Sequence, residues 1–279
     1  WKEHICYKFL NLTELSILRR CHTFFEKYWQ NVMVQNVIRV PQGCPTVRKA
    51  MDLAVIFSKR KEYTGADPLK VQLAEGVHEI MGRITKFMHI TCSHITFVGK
   101  GKDHTTIHGG FQVNNQQHVK FEELTITHNR GSGLCLLGKE TTVDVLKCIV
   151  KECWGTGMYV SVGASVTATQ CEFMENGRHG VYCQDANTKA RLDGCTMHHN
   201  GHHGLYAFGD AVVDLHGTKT DIHSNKGGGI CASYGAKVNI HLPSEHSTSH
   251  DNVGEDRHQD DGGSIANINA DGTFTHVDT

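Results

Sequence analysis

The chain has 279 residues, a formal net charge of −1 and 39% hydrophobic residues, enough for one elongated folded domain plus a small additional segment. A near-neutral surface argues against nucleic acid as a partner, because phosphate neutralisation needs a basic face. No run approaches the roughly 18 uninterrupted apolar residues of a membrane-spanning helix, so no membrane segment is expected.

The N-terminus, Trp1-Lys2-Glu3-His4, lacks the charged, apolar and small-residue order of a signal peptide, and a start without Met is compatible with a fragment. The 11 cysteines are odd in number and scattered with no CxxC pair, which argues against a full disulfide framework or a zinc ribbon. This usage points to a reducing, cytoplasmic or nuclear location. Over residues 1–36, apolar positions including Ile5, Leu10, Leu12, Leu15, Leu18, Cys21, Phe24 and Trp29 fall largely at helical spacing, with Asn11 or Thr13 able to cap a second helix. The stretch from Ile5 to Trp29 resembles the C-terminal two-thirds of an F-box, without that family's Leu-Pro opening. The resemblance implies docking to a Skp-type adaptor through Leu10, Leu12, Leu15, Leu18 and Trp29. The competing reading is a plain helical cap over the open N-terminal end of the core formed by residues 37–279.

Residues 37–66 read as a strand from Val37 to Val40 and then a capping helix beginning near Pro45, with Thr46 as its N-cap. Beyond them an internal repeat dominates. Gly133-Leu-Cys-Leu136, Gly157-Met-Tyr-Val160, Gly180-Val-Tyr-Cys183, Gly204-Leu-Tyr-Ala207 and Gly229-Ile-Cys-Ala232 recur at spacings of 24, 23, 24 and 25 residues. Two further series keep step, one holding Cys148, Cys171 and Cys195, the other Val143, Val166, Ala190, Val213 and Val238. Each period therefore carries three short alternating segments, which read as strands with one buried face. Three such strands cannot bury their inner faces alone, but stacked coils can, each strand bonding to its equivalents about 4.8 Å above and below. The expected fold is all-β: a right-handed parallel β-helix of ~24-residue coils with short N-terminal α-helices, spanning residues 37–279. Asn129, Asn176, Asn200 and Asn225 follow the second strand of four coils, with Cys153 as the exception, and are read as turn residues whose amides bond along the stack. From His246 the three-strand rhythm fades, and residues 246–279 are expected to form irregular terminal coils.

These repeats resemble the pectin-lyase-like β-helix family, including its carbohydrate-binding and sugar-hydrolase branch. The stretches Leu69 to Ile80 and Ile95 to Gly109 read like that family's first coils. The resemblance implies a fold more than a function, because the same scaffold serves lyases, hydrolases, epimerases and non-catalytic binders.

Alternation in and out along the glycine-led strands places Cys135, Tyr159, Tyr182, Tyr206 and Cys231 outside, with Phe208 two positions beyond Tyr206. Tyr159, Tyr182, Tyr206 and Phe208 form a candidate platform for a protein partner or a glycan. A packing ladder that only stiffens the sheet is the alternative. Outward acids for catalysis are sparse: Glu172 and Asp221 lie two coils apart, and Arg191 sits beside Asp214, an arrangement that also describes an ordinary surface ion pair. His198, His199, His202 and His203 occupy one turn, where at most two could converge on a metal without help from Glu175 or His223, so solvated turn residues are expected and no metal or cofactor is assigned. The leading reading is a non-enzymatic F-box-like substrate receptor of a cullin-type ubiquitin ligase. The alternatives are a polysaccharide-active lyase, hydrolase or epimerase, and a carbohydrate-binding or structural β-helix.

Overall fold

A computed structural model describes residues 34–80, 87–128, 130–242, 246–268 and 273–276. The F-box-like segment, with Leu10, Leu12, Leu15, Leu18 and Trp29, lies outside the described residues, as does Asn129. The chain enters through the strand Val37–Val40 and the helix Val47–Ser58. Thr46 caps this helix from extended backbone, its side chain accepting the Lys49 N–H at 3.2 Å. Val47, Ala50, Met51, Ala54 and Phe57 form the buried stripe that packs on the first strands and shields the end of the core.

After the helix the strands wind into three parallel sheets of 11, 8 and 8 strands, consecutive coils contributing consecutive strands to each. This is the expected parallel β-helix. The largest sheet runs from Val37–Val40 to Ser264–Ile268, where Phe274–His276 folds back as an antiparallel end strand. A second sheet carries the glycine-led strands, among them Met158–Ser161, Val181–Gln184, Leu205–Phe208 and Ile230–Ser233, and ends at Arg257–Gln259. The third carries Glu172–Met174, Thr196–His198 and Asp221–His223 and ends at Ser249–His250. The stretch from His246 thus still supplies strands to every sheet, two to the largest and one to each of the others. Among the described residues no helix is long and apolar enough to cross a membrane.

The register makes each inward position a column. Val143, Val166, Ala190, Val213 and Val238 pair coil to coil, all at most 4% exposed. Near the entry Phe97 and Phe121 stack at 5.5 Å with Phe111 leaning on both, filling the core of the first coils. Cys148, Cys171 and Cys195 are buried as small fillers, as their inward positions require, and the nine described cysteines are all free thiols. Gly180 is needed for space: a Cβ there would sit 2.7 Å from the Gly204 carbonyl and 2.9 Å from the Asn200 amide. The left-handed turn positions belong instead to the residue before each ladder position, Glu152, Glu175, His199, Ser224 and Asp251, with φ from 53° to 56°. The asparagines are therefore not the left-handed turn residues themselves.

Their amides do bond along the stack. Asn176 donates to the Val150 carbonyl at 3.1 Å and to Asn200 Oδ1 at 3.0 Å; Asn200 repeats this with Phe173 and Asn225, and Asn225 with Met197 and Asn252. Each Oδ1 also accepts the backbone N–H one coil below, beginning with Cys153 N–H to Asn176. Every donor and acceptor of these buried amides is used, which is what makes a polar column inside the turn tolerable. Replacing Asn200 with Ala removes the oxygen that accepts from both the Asn176 N–H and the Asn176 amide, so the unfolding free energy in a denaturant titration should drop by about 2–4 kcal/mol. A change below about 0.5 kcal/mol, the scatter of ordinary surface substitutions, would contradict the ladder's role.

Candidate functional site

On the second sheet the outward column reads Gln112, Cys135, Tyr159, Tyr182, Tyr206, Cys231, His258, one residue per coil in direct register. The three tyrosines are half-buried and stand in a row, with ring centroids 5.4 Å apart for Tyr159 and Tyr182 and 5.0 Å for Tyr182 and Tyr206. Phe208 packs edge-on to Tyr206 at 6.0 Å and against Tyr234 at 4.7 Å, and Tyr234 is 55% exposed. The Tyr159 hydroxyl donates to Gln184 Oε1 at 3.2 Å. Burial and the neighbouring phenols push the Tyr182 hydroxyl up to about 12, so this ring stays uncharged.

Cys231, expected outside, is only 4% exposed. It lies on the outer face but forms the floor of a cleft of about 530 Å³, between Tyr206 and His258 on neighbouring coils. The cleft arises from a run of small residues. Preceding coils carry Arg178-His179 and His202-His203 in the turn before this sheet, whereas the next coil carries Gly227-Gly228 and the following one Gly254. Removing side chains from two successive turns leaves a trough walled by His179, His203 and Tyr206 on one side and by Glu255, His258 and Asp260 on the other.

The imidazoles in this trough are held in different states. His203 Nδ1 accepts the Gly228 N–H at 2.8 Å, so its ring is neutral with the proton on Nε2, and burial lowers its pKa. His179 stacks on His203 at 5.5 Å and leans on Tyr206 at 5.1 Å; its buried Nδ1 has no hydrogen-bond partner. Burial first, then His203, His202 and Arg178, lower its pKa to about 3. His258 is the opposite case: Nδ1 lies 2.5 Å from Glu255 Oε2 and Nε2 lies 3.4 Å from Asp260 Oδ2, and the Glu255 hydrogen bond raises its pKa. A carboxylate-held imidazole that titrates above its usual range is equipped for proton transfer.

The acids singled out from sequence lie elsewhere. Glu172 and Asp221 share a column of the third sheet with Thr196 between them, but each is engaged by histidine: His198 Nε2 at 2.9 Å from Glu172, and His250 Nε2 at 3.0 Å from Asp221. Arg191 and Asp214 are register partners on the first sheet, yet they do not form the ion pair their register suggests. Arg191 donates to Asp193 at 3.2 Å and contacts His216 at 2.8 Å, while Asp214 accepts from Asn239 at 2.9 Å and meets His241 at 3.1 Å. The two pairs occupy different sheets and do not converge. The four turn histidines split likewise: His198 and His199 meet at 2.7 Å beside the third sheet, and His202 and His203 line the cleft. Among the described residues no group of three or more metal-ligating side chains is arranged to hold an ion.

His179 and His258 are the site residues that sequence reasoning misses, while Glu255 and Asp260 stand out in the sequence only as members of the acidic stretch after His246, without the spacing of a cation-binding loop. Counting the repeat onward places His258 opposite Cys231, but the inward positions there are Arg257 and Gln259, which erase the apolar alternation. Arg257 is half-buried and donates to Asn267 Oδ1 at 3.1 Å.

The lowered His179 makes a signed prediction. In the folded chain it stays neutral down to about 3, while the unfolded chain protonates it near 6.5, so the unfolded state binds more protons between these values. Stability should therefore fall as pH drops through that window, by about 1.4 kcal/mol for each pH unit. The raised His258 acts oppositely, contributing stability below its unfolded value that is lost as pH rises through the folded one. Thermal melts of parent and His179→Phe across the acid range check this: the variant should lose part of the acid-side decline, and parallel curves would contradict the burial of a neutral His179.

Comparison with known proteins supports the fold. No curated protein matches the chain. Among solved structures, the Agl-KA catalytic domain is similar at TM-score 0.53 and 18% identity, over 82% of this chain and 43% of that one. Pectate lyase Pel9A has TM-score 0.47 and 13% identity, over 67% and 64%. The Azotobacter vinelandii mannuronan C-5 epimerase AlgE6 A-module has TM-score 0.32 and 11% identity, over 81% and 95%. The chain spans less than half the length of the Agl-KA catalytic domain. The family match begins at residue 88, and the F-box resemblance of residues 5–29 gains no support from it. The model of the right-handed β-helix region matches residues 88–243, more than half of the chain, and the chain belongs to that family.

Proposed function

We propose that the protein is a polysaccharide-active β-helix that holds an extended glycan along the tyrosine row, with one sugar unit in the cleft beside His258. The observation that carries this reading is the continuity of the column Tyr159, Tyr182, Tyr206, Cys231, His258, which joins an aromatic shelf to a titratable cleft without a break. The rings lean on one another along the column, Tyr182 and Tyr206 at 12° and Tyr159 and Tyr182 at 47°, so the row presents ring edges and phenol hydroxyls to the C–H groups and hydroxyls of a sugar chain. Their repeat along the stack is the inter-coil distance of about 4.8 Å, close to the advance of one sugar unit in an extended chain. Gln184 beside Tyr159 and Asp185 at the shelf edge offer hydrogen bonds to sugar hydroxyls. In the cleft, His258 is the group placed to give a proton to a glycosidic oxygen, with Glu255 fixing its ring. The ligase-receptor reading, by contrast, rests on residues outside both the family match and the described residues.

The test is a paired measurement on the Tyr182→Ser, Tyr206→Ser double variant: a thermal melt and a titration against a panel of soluble polysaccharides. The rings are half-buried and stacked, so the change should cost about 1–3 kcal/mol of stability and leave a folded protein. Binding should weaken by about a thousandfold, since each anchor ring contributes about 2 kcal/mol. A folded variant that binds like the parent would refute the shelf, as would a parent that binds no member of the panel.

A further inference from the structure

We infer that the cleft is selective for uncharged glycans, neutral or N-acetylated, and rejects uronate polymers; this rests on the glycan reading of the same site. The walls decide it. Among the described residues that line the cleft there is no Lys or Arg, and the formally charged ones are Glu255 and Asp260. The remaining polar wall is Tyr206, Ser233, the neutral His203 with its Nε2 proton, His179 with a buried, unpartnered Nδ1, the exposed His202, and His258 between the two acids. An acidic cleft repels a sugar carboxylate and accepts hydroxyls and amides, which donate to carboxylates and imidazole nitrogens.

The shelf edge carries the same sign. Asp185 accepts the Ser161 hydroxyl at 2.5 Å and the Val162 N–H at 3.2 Å, and these bonds favour its charged form. Exposed Asp210 follows one coil later. Arg178, next to His179 in the turn, is exposed and does not line the cleft.

A bridging Ca²⁺ is the other way an acidic groove could take uronates, because a hard cation binds carboxylates of both partners. Here the geometry opposes it. Glu255 and Asp260 address opposite nitrogens of one imidazole, at 2.5 and 3.4 Å, so the ring separates them and they do not converge on a common point. Even a protonated His258 offsets only one of the two acids, so the cleft keeps an excess of negative charge.

The experiment titrates the full chain with cello-, laminari-, xylo- and chito-hexaose and with hexagalacturonate and hexamannuronate, each with Ca²⁺ and with chelator. At least one uncharged hexasaccharide should bind at least about tenfold more tightly than either uronate in both conditions, as like-charge juxtaposition requires. The Glu255→Gln, Asp260→Asn variant, checked by its melt, should narrow that gap, and the single Glu255→Gln variant should do so in part if the double one unfolds. Uronates binding as well as the uncharged sugars, with or without Ca²⁺, would overturn the charge rule while leaving the shelf reading standing, provided the Tyr182→Ser, Tyr206→Ser variant still loses them. Absence of binding by all six would overturn the shelf reading and this inference with it.

Discussion

Each coil of this protein bonds to the next through backbone hydrogen bonds in strict register, and that register is the constraint on which the rest of the structure depends. A strand three to five residues long buries too little by itself, so its inner face has value only when the strands above and below complete the core. The stacked asparagine amides impose the same register on the turn, where a backbone ladder is interrupted: shifting one coil by a residue would orphan two amide bonds and two backbone groups at once. Sequence period thus becomes spatial column. A tyrosine repeated every 23 or 24 residues becomes a row of rings about 5 Å apart.

The cleft is where this regularity is relaxed. Glycines at 227, 228 and 254 remove the side chains that earlier coils place in the same turn, and the strand after them replaces apolar inward residues with Arg257 and Gln259. The chain loses core burial there and gains a titratable trough lined by Glu255, His258 and Asp260. Local departures of this kind are where functional groups collect, because a fully regular coil has no room for them.

The parts legible in the sequence are those that repeat. The Thr46 cap, the three segments per coil, the inward cysteines and the outward Tyr159, Tyr182 and Tyr206 all follow from periodicity and alternation. The bond between amides is legible, but the left-handed position is not, because backbone strain falls on chemically ordinary residues such as Glu175 and Ser224. Side-chain partners are the least legible. Arg191 and Asp214 sit side by side as expected, yet each finds a better-placed neighbour within its own coil or the next, a choice set by rotamers that spacing does not encode. Asp260 and Glu255 are hidden because their importance depends on His258, and His258 belongs to a coil whose strand no longer looks like one.

The central claim is that one register column unites the aromatic row with the histidine cleft as a single glycan site. A crystal structure of the full chain with a bound uncharged hexasaccharide tests it most directly. The account predicts successive sugar units in contact with Tyr159, Tyr182 and Tyr206, with the terminal unit within hydrogen-bond reach of His258. An oligosaccharide seated instead on the Glu172 and His198 sheet, or on the Arg191 and Asp214 sheet, would contradict it.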